Sequence, residues 1–415
     1  MLDEARDLDA GDPLAGFRDR FVISDPDLIY LDGNSLGRMP KAAIDVLDRL
    51  KVEWGDRLVR GWGEGWYDLP RRLGAKIAAL IGAREGEVIV CDSTSVNLYK
   101  LAVAVDQGPT QGRLWALTDD TNFPSDLYVL QGAFGRRVTG LPSGPEGYVT
   151  IESFVRAMDR LHGRGLLLAL SHAAFKSGYM YPMETLTEEA RKRNIVSFWD
   201  LSHSVGVFPV DLNRAGADLA VGCTYKYLNG GPGSPAFLYV RRDLQEQLGN
   251  PIRGWFGQRD PFQFSTEYHP AHGISRFLAG TPPILSMAAS ESGIDLVTEA
   301  GIDAIRRKSA AQTDFLIRLF DRYLEPLGFN LASPRDSAVR GSHVSITHPN
   351  ALQIDQALIQ EMKVIPDFRM PDNLRLGVAP LNTRFSDLHE AAMRIGQVVE
   401  QRLYERYPSK GIEVT

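Results

Sequence analysis

Between about residues 87 and 240 the chain alternates short apolar runs with longer stretches of helical spacing, and this alternation restricts the fold more than any other feature. The runs cover 88–90, 114–117, 166–170, 196–199, 219–221 and 236–240. Runs this short, bounded by polar turns and separated by helices, read as buried strands of a mostly parallel α/β sheet. Ligands of such sheets sit outside the carboxyl ends of the strands. Upstream, residues 41–54 carry Ala43, Ile44, Leu47, Leu50 and Trp54 at helical spacing, which predicts an amphipathic helix after the turn Asp32-Gly33-Asn34-Ser35-Leu36-Gly37. The C-terminal third changes pattern. Residues 341–347 and 374–379 look like strands, and Leu388, Ala391, Ala392, Ile395, Val398, Val399 and Leu403 mark one face of a long helix. The expected organisation is a large α/β unit over 41–300 and a smaller α+β unit built from 1–40 and 301–415.

Composition narrows the functional classes. A length of 415 residues with 44% apolar content can bury a substantial core, and no repeat or low-complexity tract interrupts it. A formal net charge of −6 supplies no attraction for nucleic acid or an anionic membrane. Cys91 and Cys223 are the only cysteines, so a secreted disulfide framework is not expected. The start of the chain is acidic where a signal peptide would be basic, and no apolar run approaches the roughly 20 residues of a membrane span. The expectation is a soluble cytoplasmic protein. Eight histidines show neither an H-E-x-x-H pattern nor a Cys/His cluster, so no metal site is expected.

The most informative stretch runs Trp199-Asp200-Leu201-Ser202-His203, followed by Thr224-Tyr225-Lys226-Tyr227-Leu228-Asn229-Gly230-Gly231. Asp200 ends one expected strand and Lys226 lies just past another, so both can face one crevice. A carbonyl cofactor needs an amine that forms a Schiff base and an anion that keeps its ring nitrogen protonated, and these two residue types supply them. Solvated or ion-paired side chains fit the same spacing. Asp92-Ser93-Thr94-Ser95 follows an expected strand and opens an apolar helix, where hydroxyls and free N–H groups bind phosphate or make an ordinary N-cap. Asn122-Phe123-Pro124-Ser125-Asp126 follows another strand, where Phe123 can stack on a ring or join the core. Ser171 and His172 close the 166–170 run. The run Gly230-Gly231-Pro232-Gly233 lacks the spacing of a nucleotide loop and reads as a turn.

These segments, with Leu31-Asp32-Gly33-Asn34-Ser35-Leu36-Gly37 and Gly254-Trp255-Phe256-Gly257, closely resemble the kynureninase family, from about Tyr30 to Leu381. The resemblance implies a fold-type I pyridoxal 5'-phosphate (PLP) enzyme, a dimer with its site at the subunit interface, and hydrolysis of kynurenine to anthranilate and alanine. It implies that Thr94 and Ser95 hold the phosphate, that Phe123 stacks on the ring, and that Pro124, Ser125 and Asp126 line the cofactor. Asp200 would pair with the pyridine nitrogen, Ser171 and His203 would contact the ring, Tyr225 would touch the phosphate and Lys226 would carry the cofactor. Trp255 and Thr281 match contacts made across the dimer interface. Arg375 matches the arginine that binds the substrate's α-carboxylate, as a planar fork can, although an ordinary ion pair suits it equally. Ser35, Trp62 and Gly280 complete the expected substrate site, and Trp62, Gly280 and Thr281 resemble the form of the ring pocket that favours kynurenine over its 3-hydroxylated relative. Tyr225 is the expected acid for Cβ. Two positions depart from the family pattern: Ala174 stands where asparagine is expected and Asn382 where an aromatic is usual. Rival readings are a PLP aminotransferase or desulfurase and a non-catalytic PLP-binding regulator. A desulfurase wants a mobile reactive thiol, and Cys91 and Cys223 lie in or beside expected strands; a regulator wants a DNA-binding appendage, and none precedes the α/β region.

Overall fold

The computed structural model describes residues 1–108, 114–144, 146–161 and 164–409, so the last residues of the expected C-terminal unit, 410–415, lie outside the described residues. In chain order the strands are β1 (Ile29–Tyr30), β2 (Val88–Val90), β3 (Trp115–Asp119), β4 (Val138–Leu141), β5 (Leu166–Ser171), β6 (Val196–Asp200), β7 (Leu219–Gly222), β8 (Phe237–Val240), β9 (Asn330–Leu331), β10 (His343–Thr347), β11 (Val364–Ile365), β12 (Asp367–Arg369) and β13 (Asn373–Gly377). The main sheet has seven strands in the order β2-β8-β7-β6-β5-β3-β4. Strands β3 to β7 run parallel, while β8 pairs antiparallel with both β7 and β2.

Burial explains why these strands are continuous apolar runs. Leu166, Leu168, Leu170, Trp199, Ala220, Phe237 and Tyr239 point into one hydrophobic core. Their neighbours Leu167, Ala169, Phe198, Leu219, Val221, Leu238 and Val240 point into another on the opposite face. A period of two buried on both sides leaves no polar positions in the middle of a strand. The helices Pro124–Phe134, Ile151–Arg160 and Met183–Arg191 supply the crossovers between successive parallel strands. Strand β4 escaped the sequence reading because it is an edge strand with only Leu141 buried, so it carries no apolar run.

A second sheet, β12-β13-β10-β9, is antiparallel and packs on a core that includes Phe315, Leu358, Leu376, Leu388 and Ile395. The N-terminal segment joins both cores: Ala5, Ile29 and Leu31 belong to the smaller one, Leu14 and Phe21 to the core of the main sheet. Asp9 accepts hydrogen bonds from the amides of Phe385 and Ser386 at 2.6 and 3.0 Å, capping the Phe385–Glu400 helix. Among the described residues no helix is long and apolar enough to cross a membrane.

The helix expected over 41–54 forms as Lys41–Arg57, but only Ala43 and Leu50 are buried on it. Ile44 and Trp54, expected on its core face, are exposed at 41% and 60%. The periodicity is real, yet within one chain that face meets solvent.

Phe237 is fully buried opposite Gly222, where an added Cβ would sit 2.5 Å from the Phe237 ring. Phe237→Ala should therefore lower unfolding stability by about 3–5 kcal/mol, read as a lower denaturant midpoint with little change in the slope of the transition.

Candidate active site

The carboxyl ends of β3, β5 and β6 and the turn after β7 converge on one cavity of about 350 Å³. Thr94, Ser95, Phe123, Ser125, Asp126, Ser171, Asp200, His203, Tyr225 and Lys226 all line it. Register accounts for this: Ser171 pairs with Asp200, and Asp200 with Val221, so three adjacent strands end at one level. Sequence reasoning missed Ala173, Phe175, Ser202 and Pro283 as lining residues. Phe175 had one usable signal, an aromatic three residues beyond His172 near a strand end.

At one end of the cavity, Ser93 caps the Thr94–Gln107 helix by accepting a hydrogen bond from the Val96 amide at 3.3 Å. Thr94 Oγ1 is buried without a hydrogen-bond partner. An orphaned hydroxyl beside the unsatisfied N–H groups of a helix N-terminus is a donor set that fits a phosphate ester. Beneath it, Asp92 adopts a left-handed conformation with φ of 48°. Its carboxylate accepts from Lys100 Nζ at 2.6 Å, and Lys100, wholly buried, also donates to the Phe277 carbonyl at 2.7 Å.

Across the cavity the Lys226 ammonium nitrogen lies 5.6 Å from the Phe123 ring centre and 6.0 Å from that of Tyr225. Phe175 meets the Phe123 ring edge-on at 5.3 Å. The Gly37 amide donates to the Tyr225 carbonyl at 2.8 Å, and a Cβ at Gly37 would lie 2.2 Å from the Lys226 carbonyl. Glycine at that place in the turn is a requirement of close approach.

Two buried carboxyls stand together. Burial, then the neighbouring Asp200, holds Asp126 well above the usual carboxylate range. Burial raises Asp200 as well, but Ser202 opposes this by donating its amide at 2.8 Å and its hydroxyl at 2.6 Å, and Lys226 adds a favourable charge. Burial thus disfavours two anions side by side, and the Ser202 donors and Lys226 make Asp200 the better placed of the two to carry the negative charge. His203 is held far below its ordinary value by burial and then by Lys226, Arg375 and His343, so it is a neutral imidazole. Burial pushes the Tyr225 phenol up, and it keeps its proton at neutral pH. Burial also raises both thiols, Cys91 to about 11, which leaves neither as a thiolate.

Other expected site residues lie elsewhere in the chain. Pro124 opens the Pro124–Phe134 helix beside the cavity without lining it. Trp62 and Trp255 belong to an aromatic group around Phe256, with ring centres 5.6 and 4.5 Å from it. Gly280 and Thr281 are exposed, and Trp255 is 41% exposed. Arg375 stands behind the cavity wall, where its Nη1 donates to the carbonyl of the lining residue Phe175 at 2.7 Å. Its Nη2 lies 3.2 Å from Ser35 Oγ. Of the two departures, Ala174 points into the core, because the alternation along this segment turns Ala173 and Phe175 to the cavity instead. Asn382 is buried with both side-chain amide atoms unpaired.

The location of the proton between Asp126 and Asp200 is open to a spectroscopic check. In ligand-free protein at neutral pH, the infrared difference spectrum against the wild type should show the loss of one protonated-carboxyl band in Asp126→Asn and no such loss in Asp200→Asn, the bands of Asp32 and Asp355 cancelling in both. The opposite pattern would put the proton on Asp200.

The kynureninase C-terminal domain matches residues 305–395. Among solved structures, the apo cysteine desulfurase of Thermococcus onnurineus NA1 has a TM-score of 0.77 at 18% identity, covering 95% of this chain and 98% of that one. A cysteine desulfurase from Escherichia coli has a TM-score of 0.78 at 17% identity, covering 94% and 98%. These likenesses show the fold, that of the fold-type I PLP enzymes. The kynureninase of Pseudomonas fluorescens is 41% identical over 406 residues, which cover 96% of this chain and 95% of the relative. That of Burkholderia pseudomallei is 41% identical over 403 residues with the same coverage. Identity at this level along nearly the whole length shows that the chain belongs to the kynureninase family.

Proposed function

We propose that this chain hydrolyses the bond between Cβ and the γ-carbonyl carbon of L-kynurenine, releasing anthranilate and L-alanine, with pyridoxal 5'-phosphate held in the cavity at Lys226. The observation that carries the reading is that Lys226 and Asp200 open on one cavity that the orphaned Thr94 hydroxyl also lines. Bound there, the cofactor supplies an electron sink: a carbonyl that condenses with amines and a protonated pyridine ring that accepts the electron pair of a broken bond.

The chain's own residues divide the remaining work. Thr94, Ser95 and Tyr225 receive the phosphate, and Phe123, its turn set by Pro124, covers one ring face while Ser125 lines the cavity beside it. Asp200 holds a proton on the ring nitrogen, and Asp126, keeping its own proton, donates to Asp200 rather than competing with it. Ser171 and the neutral His203 contact the ring without adding charge. Lys226 removes the proton at the substrate's Cα and returns it where the electrons come to rest. Water adds to the γ-carbonyl carbon, the Cβ–Cγ bond breaks, and the Tyr225 phenol, protonated at neutral pH, supplies the proton that Cβ needs to become a methyl group. Arg375 and Ser35 take the α-carboxylate.

A homodimer with its site at the subunit interface completes this account. The exposed Trp255 and Thr281 serve a partner's cofactor, and Trp62 and Gly280 border the pocket for the aromatic ring. 3-Hydroxykynurenine is a second substrate of the same chemistry, the reaction belongs to tryptophan breakdown by the kynurenine pathway, and the enzyme works in the cytoplasm. A desulfurase reading has no reactive thiol to use, since Cys91 and Cys223 are buried and protonated.

Lys226→Ala should abolish the visible absorption band of the bound cofactor and reduce anthranilate formation, followed by its fluorescence, at least about a thousandfold. A variant that kept both band and turnover would remove Lys226 from the mechanism.

A further inference from the structure

Behind Phe175 lies a buried ionic cluster of which the mechanism uses only Arg375 and Ser35. Asp367 on β12 pairs in register with Arg375 on β13, and both side chains are 1% exposed. Arg375 Nε donates to Asp367 Oδ2 at 2.6 Å, and its Nη2 reaches the same oxygen. Arg369 Nη1 lies 3.0 Å from Asp367 Oδ1. Two further carboxyls are buried here: Asp32, in the turn after β1, and Asp355, in the Ala351–Glu361 helix. Oδ1 of each meets no donor. The phenols of Tyr30 and Tyr227 also face Asp32.

The charge count decides what this subsite can accept. Asp367, Arg369 and Arg375 together carry one positive charge when Asp32 and Asp355 are protonated, and none once Asp32 ionises. Four of the five donors of Arg375 already meet Asp367, Ser35 and the Phe175 carbonyl. An incoming carboxylate thus finds one spare N–H, and a Ser35 hydroxyl that must turn from Asp367 Oδ2, 3.4 Å away, to reach it; it depends on the net charge of the cluster for the rest of its attraction. In a site of low polarisability a second unpaired anion is costly.

We infer that Asp32 sets the charge of the carboxylate subsite at Arg375, so that a substrate carboxylate enters with Asp32 protonated and, above neutral pH, brings one proton in from solvent. Burial and then Asp367 push Asp32 up to about 7, opposed by Ser35, Arg375 and Arg369. Burial, Asp367 and Asp32 push Asp355 up to about 8. Of the two, Asp32 sits beside the subsite: it bridges to Gly377, two residues past Arg375, and its carbonyl accepts from the Ser35 amide at 2.9 Å. The sign follows: below its pKa Asp32 is neutral and the subsite attracts an anion, and as pH rises through that value the attraction fades.

This inference rests on the reading that Arg375 takes the substrate carboxylate. The probe is benzoylpropanoate, which keeps the carboxylate and aryl ketone of kynurenine but has no amine to react with the cofactor. Titration calorimetry of the holoenzyme in two buffers of different ionisation heat measures protons taken up per ligand. In the wild-type protein, uptake should approach one above neutrality and Kd should rise up to about tenfold per pH unit there. Asp32→Asn, which keeps the side-chain volume, should bind with a flat pH profile and no uptake from pH 6 to about 7.5, below the range in which Asp355 titrates. Uptake and slope that persist in Asp32→Asn overturn the role of Asp32, as does an absence of uptake in the wild-type protein should the variant not fold. Arg375→Gln separates the two layers: lost binding supports the carboxylate reading whatever Asp32 does, and unchanged binding overturns that reading itself.

Discussion

Three strand ends stand side by side in this protein because β5, β6 and β7 are parallel, in register, and buried on both faces. A one-residue slip of β6 would turn Trp199 and Phe198 toward the wrong cores and carry Asp200 away from Lys226. The hydrophobic packing of Leu168, Leu170, Trp199 and Ala220 on one side, and of Leu167, Ala169, Phe198 and Leu219 on the other, therefore also fixes where the chemistry sits. The site needs few interactions of its own to hold its position.

What the site does need is relief from burial. Asp126, Asp200, His203 and Lys226 are all buried residues, and an isolated charge among them would be strongly unfavourable. Burial biases Asp126 toward its protonated form, the Ser202 donors favour a negative charge at Asp200, and His203 is a neutral imidazole. The same arithmetic recurs behind Phe175, where three carboxyls face two guanidiniums and two of the carboxyls are pushed toward protonation. The carboxyls of both clusters are buried, on helices and turns as well as on strands.

Much of this was legible in the residue order. Continuous apolar runs announce strands buried on both faces, and polar residues directly after those runs mark the crevice; Thr94, Phe123, Ser171, Asp200 and Lys226 all meet there. Three things were hidden. Edge strand β4 has no apolar run to reveal it. The exposed face of the Lys41–Arg57 helix looks like a core face because periodicity reports amphipathicity without saying what covers the apolar side. The third is pairing across distance: nothing local to Asn373-Leu374-Arg375 shows that Arg375 is gripped by Asp367 and donates to the Phe175 carbonyl, because that depends on register between strands.

The contrast between fold and family shows where chemical identity resides. Cysteine desulfurases share this architecture at TM-scores of 0.77 and 0.78 with only 17–18% identity. An amine and a carboxylate at strand ends suit every enzyme built on a PLP cofactor, so that part of the site cannot separate one reaction from another. The separation lies in what surrounds it. A thiol that attacks must be exposed and easily ionised, whereas Cys91 and Cys223 are buried, and the Cys91 sulfur sits among Asn97 and Lys100 as a structural contact. An acyl group leaving as a carboxylic acid instead calls for water at a carbonyl and a proton for the carbon left behind, which a protonated Tyr225 at the cavity wall is equipped to give. The identity of the reaction thus rests less on the lysine than on the proton inventory around it.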